Sequence, residues 1–302
     1  MEFKLASIFL LAIATGVLAT DIKINDAPYL VSIQIHDIHY CNGAIISKEW
    51  VITSGQCVKN IVLNFPYSTI HAGATSTQRN GSVHRIATYK LHEAFELGSA
   101  NIPLNDIGLI QVLDHFDIDS TRQPIKLINT YEPKVHKLYN VTGWDIYYND
   151  NDNTDTDVPA VLKKQKWLQI DTPKCNKYFF FYNRAGFNNS FVCAVNEGDV
   201  KNPCTLGDLG DLLVIDGYLV GLKSWKMDCD LYPHSPTLFT NVRWYGEWIS
   251  SALGPDINIL ETTCEDPDNN IEEVINFHRP FWNNTFSFFE PRNTEKNISK
   301  YY

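Results

Sequence analysis

CTLGDLGDLLVIDGYLVGLKSW, residues 204–225, holds two apolar runs of strand length joined by Asp216-Gly217. An Asp-Gly pair between such runs is the sequence of a tight hairpin, because the favoured turn needs positive φ at its central residues. Ahead of the hairpin, Gly207 and Gly210 flank Asp208 and Leu209, so a hydrocarbon stands at the tip of a glycine-bounded turn. Further runs have the same character: YLVSIQI, GAIISKEWVITS, IGLIQVL, LKKQKWLQI and TLFTNV. They are short, rich in β-branched and aromatic residues, and separated by turn residues. That pattern predicts an all-β chain of sandwich or barrel type. One helix is expected, NVRWYGEWISSAL at 241–253, with Trp244, Trp248 and Ile249 on its apolar face and Gly254-Pro255 as its stop.

The chain has 302 residues, enough for one large domain or two small ones, and its 44 % apolar content permits a substantial core. A net charge of −10 argues against nucleic acid as a partner, since phosphate binding needs basic surface. The opening MEFKLASIFLLAIATGVLAT carries Lys4, an apolar run from Leu5 to Leu18, and small residues Val17 and Ala19 at the spacing of a signal-peptidase site. The run is short for a membrane span, so residues 1–19 read as a signal peptide and the rest as a secreted, soluble chain with no membrane segment.

Secretion sets the reading of the seven cysteines: in an oxidising compartment they are expected in disulfides, and no close Cys/His cluster points to a metal. The odd count leaves one thiol over. Glycosylation sequons begin at Asn80, Asn140, Asn188, Asn283 and Asn297, and some of them are expected to carry glycans. Residues 145–158 are polar and acidic but lack the glycine and the distal glutamate of a calcium loop. Neither a metal nor a cofactor is therefore expected. Residues 254–302 form a distinct tail, in which positions 255–302 hold nine acidic against four basic residues and eight aromatics without periodicity.

Several stretches, in chain order, resemble the trypsin-like (chymotrypsin-type) serine proteases. They are APYLVSIQ, YCNGAIISKEWVITSGQC, NDIGLIQV, NVTGW, the 204–225 stretch with Cys229 after it, and PTLFTNVRWYGEWI. The resemblance covers about residues 24–253. It implies two six-stranded antiparallel β-barrels, at about 20–130 and 131–253, with a C-terminal helix closing the second. It also implies the disulfides Cys41–Cys57, Cys175–Cys193 and Cys204–Cys229, each a staple of roughly 3 kcal/mol, and leaves Cys264 unpaired in the tail.

The catalytic positions that the resemblance identifies are altered. Serine attack needs a hydroxyl, an imidazole to take its proton and a carboxylate to orient that imidazole. The histidine position is Gln56, whose amide is neither acid nor base near neutral pH. The serine position is Leu209. Only the aspartate, Asp106, remains, and its expected role is structural: accepting backbone hydrogen bonds. Asp211 replaces a glycine, and the substrate-pocket positions are Asn202, Lys226 and Thr237, the last two filling space that the family leaves open with glycine. Asp208 matches the aspartate that takes a new N-terminal amine after activation cleavage. The candidate cut here, Lys23–Ile24, leaves only four residues before Pro28, about 14 Å when extended.

The resemblance thus implies a secreted serine protease homologue without catalysis, a pseudoenzyme acting by protein binding. The expected partner is an extracellular protein, either an active serine protease or a protease inhibitor. The alternatives are a residual endopeptidase with a non-standard site and a structural component of a secreted fluid. The tail, through Phe281, Trp282, Phe288 and Phe289, is expected to dock a partner or a second copy, with Cys264 able to make a covalent link.

Overall fold

The computed structural model describes residues 20–128, 136–145, 161–183, 187–196, 208–227, 232, 235–254 and 260–261. The expected signal peptide, nearly all of the expected tail, Asn202, Cys204, Cys229, Cys264, Asn283 and Asn297 lie outside the described residues, as does most of the 145–158 loop.

Six strands form the first barrel: β1 (Leu30–Ile35), β2 (Ile38–Ile45), β3 (Trp50–Thr53), β4 (Ser68–Ala72), β5 (Ser82–Leu91) and β6 (Gly108–Val112). They close in the order β1-β2-β3-β6-β5-β4, every pair antiparallel. The second barrel uses β7 (Leu138–Asp145), β8 (Val161–Ile170), β9 (Phe191–Asn196), β10 (Leu212–Ile215), β11 (Tyr218–Lys226) and β12 (Thr237–Asn241). Its ring runs β7-β8-β9-β12-β11-β10 and closes through the β10–β7 pairing. The expected pair of six-stranded antiparallel barrels is thus the observed architecture. The Asp216-Gly217 hairpin joins β10 to β11 as its sequence predicts, with φ of 50° and 83°.

The apolar runs lack clean alternation because both faces of several strands are covered. Val31, Ile33, Ile45, Val51 and Ile110 point into the first barrel and pack with Cys41 and Cys57. Their neighbours Leu30, Ala44, Ile52 and Leu109 point the other way. There they meet Trp144, Leu162, Leu212, Val214, Leu222 and Ile249 in the core between the barrels. Fully burying a side chain of this size contributes about 2 kcal/mol, so the seam is a major source of cohesion. The chain reinforces it by crossing over: Thr20–Asp21 pairs antiparallel with β8, and Lys126–Leu127 runs parallel to Tyr218–Leu219 of β11.

Among the described residues, three α-helices flank the barrels. Helix α1 (Gly55–Leu63) is capped by Ser54, whose hydroxyl accepts from the Cys57 N–H, and is tied to β2 by Cys41–Cys57. Helix α2 (Thr172–Tyr178) is capped by Asp171 and tied to β9 by Cys175–Cys193. Helix α3 (Gly246–Leu253) is the expected closing helix and ends at Gly254, φ 88°. Its apolar face needs correction. Residues Val242–Tyr245 form a 3₁₀ turn, which advances further per residue than an α-helix. That rotates Trp244 into solvent, 52 % exposed, and puts Tyr245 beside Ile249 in the core instead.

Candidate functional site

The site is assembled from both barrels. Asp106 lies just before β6, Gln56 in the first turn of α1, Ser224 on β11, and Leu209 in the turn entering β10. Asp106 is fully buried and its carboxylate is surrounded by donors. The Gln56 backbone N–H reaches Oδ1 at 2.8 Å, and the Gln56 carboxamide Nε2 reaches Oδ2 at 2.9 Å. The Ser224 hydroxyl donates to Oδ2 at 2.5 Å. Loss of hydration on burial is the largest influence on this group and raises its pKa above 3.8, with the Ser224 and Gln56 hydrogen bonds opposing it.

The second amide hydrogen of Gln56 has a partner as well: Nε2 donates to the Ser224 carbonyl at 2.9 Å. One neutral side chain therefore joins the first barrel's helix to a carboxylate and to a carbonyl of the second barrel. An imidazole so placed could shuttle a proton; a carboxamide can only hold its two bonds.

Leu209 presents no nucleophile. Its side chain is half-buried and packs on the first barrel's core. Its carbonyl accepts the Asn42 N–H at 2.9 Å. Next to it, Asp208 Oδ2 meets His39 Nε2 at 3.2 Å, and His39 Nδ1 lies 2.7 Å from the Ser32 hydroxyl. The carboxylate that resembles an acceptor for a terminal amine is therefore occupied by a histidine side chain. Ile24, beyond the candidate cut, is buried, and its N–H donates to Thr75 Oγ1 at 3.1 Å.

The sequence profile of the trypsin family, described as "Trypsin", matches residues 17–249. The chain belongs to the trypsin family. Hypodermin-A of Hypoderma lineatum is 29 % identical over 220 residues, covering 73 % of this chain and 80 % of the relative. Trypsin iota of Drosophila melanogaster is 30 % identical over 235 residues, covering 77 % and 86 %. Among solved structures, the scabies mite inactivated protease paralogue S-D1 superposes with a TM-score of 0.64 at 20 % identity, over 78 % of this chain and 97 % of that one. Mouse neuropsin gives 0.64 at 22 % identity, over 78 % and 99 %. Both show the same fold.

In this trypsin homologue the two described residues expected at the substrate pocket are neighbours, since Lys226 at the end of β11 pairs in register with Thr237 at the start of β12. Ser54, another hydroxyl near Gln56, serves as a helix cap. His71 stands apart from Asp106, its nitrogens facing the Thr77 and Asn80 carbonyls. Among the described sequons, Asn80 and Asn188 are exposed, whereas Asn140 is half-buried in β7 between two paired strands.

Three features of the site are not visible from residue positions alone. The Gln56 carboxamide bonds to Asp106 and to the Ser224 carbonyl, contacts that residue identity alone does not reveal. Asn42 and Lys223 escaped because neither occupies a triad or pocket position. Lys223 did leave a signal: a lysine inside the apolar run YLVGLKSW must either reach solvent or find a counter-charge.

Proposed function

We propose that this trypsin homologue is a secreted protein that does not hydrolyse peptides and acts by binding another extracellular protein, as a cofactor, regulator or decoy for an active serine protease or its inhibitor. The observation that carries the reading is the Gln56 carboxamide bonded at 2.9 Å to both Asp106 and Ser224. Loss of a catalytic base by mutation alone would leave the buried Asp106 short of a donor. Here the donor is replaced in kind, so the cleft keeps its architecture while giving up the proton relay. Leu209 gives up the nucleophile in the same cleft and covers part of the first barrel's core.

Secretion is supported by the described disulfides Cys41–Cys57 and Cys175–Cys193, which suit an oxidising compartment. Among the described residues no helix is long and apolar enough to cross a membrane. The scabies mite protein of the same fold is described as an inactivated protease paralogue, which is consistent with a non-catalytic role on this scaffold.

Two measurements test the proposal. Purified protein, freed of contaminating proteases, is expected to show no turnover of peptide esters and no labelling by a fluorophosphonate. The Leu209→Ser variant is expected to stay inactive, because a serine and its base act as a unit. Turnover by the wild-type chain would refute the non-catalytic reading. Affinity capture from the native fluid tests the binding role, with an active serine protease or its inhibitor as the expected partner.

A further inference from the structure

Behind Leu209 lies a buried charged group outside the triad and pocket positions. Asp211 and Lys223 have side chains only 4 % exposed, and Lys223 Nζ stands 3.4 Å from Asp211 Oδ2. Asp211 Oδ1 accepts from Asn42 Nδ2 at 2.8 Å, across the seam between the barrels. The ammonium of Lys223 also lies 5.9 Å from the centre of the Trp167 ring, within cation–π range.

Asn42 is bonded on all sides. Its N–H donates to the Leu209 carbonyl, its own carbonyl accepts from Thr53 Oγ1 at 2.7 Å, and its Oδ1 accepts from the Trp144 N–H at 3.4 Å. Lys223 holds the same turn from the other side. Its carbonyl accepts from Gly210 N at 3.0 Å, and its N–H donates to the Asp211 carbonyl at 2.8 Å.

Space has been cleared to match. A Cβ on Gly143 would stand 1.9 Å from Asp211 Oδ1, and one on Gly210 would stand 2.1 Å from the Asn42 carbonyl oxygen. Burying either charge alone is costly, and an ion pair survives burial only when its other lone pairs and protons find partners. Counter-ion, cross-barrel donor and clearance are all present around one carboxylate.

We propose that Asp211, Lys223 and Asn42 form a latch that holds the 208–212 turn against the first barrel in the uncut chain. The face carrying Leu209 is thereby presented in one conformation without proteolytic activation. The latch rests on geometry alone. It would supply the proposed binding role with a rigid face, and its test reads the turn itself, so the two proposals can fail separately.

Hydrogen exchange of the full chain, followed by mass spectrometry or NMR, tests it at the Gly210, Asp211 and Lys223 amides. Lys223→Val is expected to speed exchange there at least tenfold while the β1–β4 pairing in the first barrel stays protected. Asn42→Gly is expected to speed it several-fold. The double variant Asp211→Gly/Lys223→Val removes both charges. It is expected to unfold at higher denaturant than the Lys223→Val single variant, yet to keep a fast-exchanging turn. If Lys223→Val does not fold, the turn's exchange in the double variant decides alone. Exchange within twofold of the parent in the folded variants would overturn the latch, as would additive destabilisation by the two charge removals.

Discussion

Gln56 and Asp106 are joined twice: the backbone N–H of Gln56 meets Oδ1 at 2.8 Å, and its carboxamide meets Oδ2 at 2.9 Å. Burial raises the Asp106 pKa, so the folded chain holds this proton more tightly than the unfolded one. The stability that Asp106 contributes is therefore greatest below pH 3.8 and declines as pH rises through its folded pKa. Gln56→Leu removes the side-chain donor and should cost about 2 kcal/mol at pH 7. The cost should shrink as pH falls towards 3.8 and Asp106 takes up its proton, because a protonated carboxyl needs the donor less. Urea unfolding of both chains across that range checks this; a pH-independent difference would contradict it.

Gly143 leaves room for the Asp211 carboxylate. A methyl at position 143 would overlap the Asp211 carboxylate, so Gly143→Ala should destabilise the chain by about 3 kcal/mol. In an Asp211→Gly background most of that cost should vanish, since the overlapping atoms are gone. A double-mutant cycle on denaturant midpoints measures the coupling, and simple additivity would show that the clash is relieved elsewhere.

Cleavage at Lys23–Ile24 should leave the site unchanged. The bond is held on both sides: Ile22 N–H donates to the Leu162 carbonyl, and Ile24 N–H donates to Thr75. Asp208 is already engaged by His39. Trypsin digestion with N-terminal sequencing, followed by NMR of the His39 ring, should show an unaltered imidazole after the cut. A changed His39 signal accompanied by new esterase activity would mean that the new terminus had taken Asp208.

Glycans should discriminate among the described sequons. Asn80 is exposed at a turn with φ of 63°, so a sugar there meets solvent. The Asn140 side-chain oxygen is buried, and a glycan at that position would have to pass between paired strands. Enzymatic deglycosylation in heavy-oxygen water with peptide mapping should mark Asn80 and leave Asn140 unmodified.

The chain's own order of residues determined the strand content, the Asp216-Gly217 hairpin, the stop at Gly254 and the identity of Gln56 and Leu209. All of these follow from local chemistry: a turn needs its glycine, and an amide or a hydrocarbon cannot do acid–base or nucleophilic work wherever it stands. The paired barrels and the Cys41–Cys57 and Cys175–Cys193 links followed from motif order, since a family resemblance carries long-range pairing that local reading does not. Tertiary structure alone decided the rest. Trp244 was turned outward by a 3₁₀ turn whose hydrogen bonds leave no mark in the apolar pattern. Asn42, Gly143, Asp211 and Lys223 are up to 181 residues apart in sequence and meet only because two closed barrels are pressed together. A buried charge is stabilised by whatever the fold brings within about 3 Å of it, and that neighbourhood exists only once both barrels have closed.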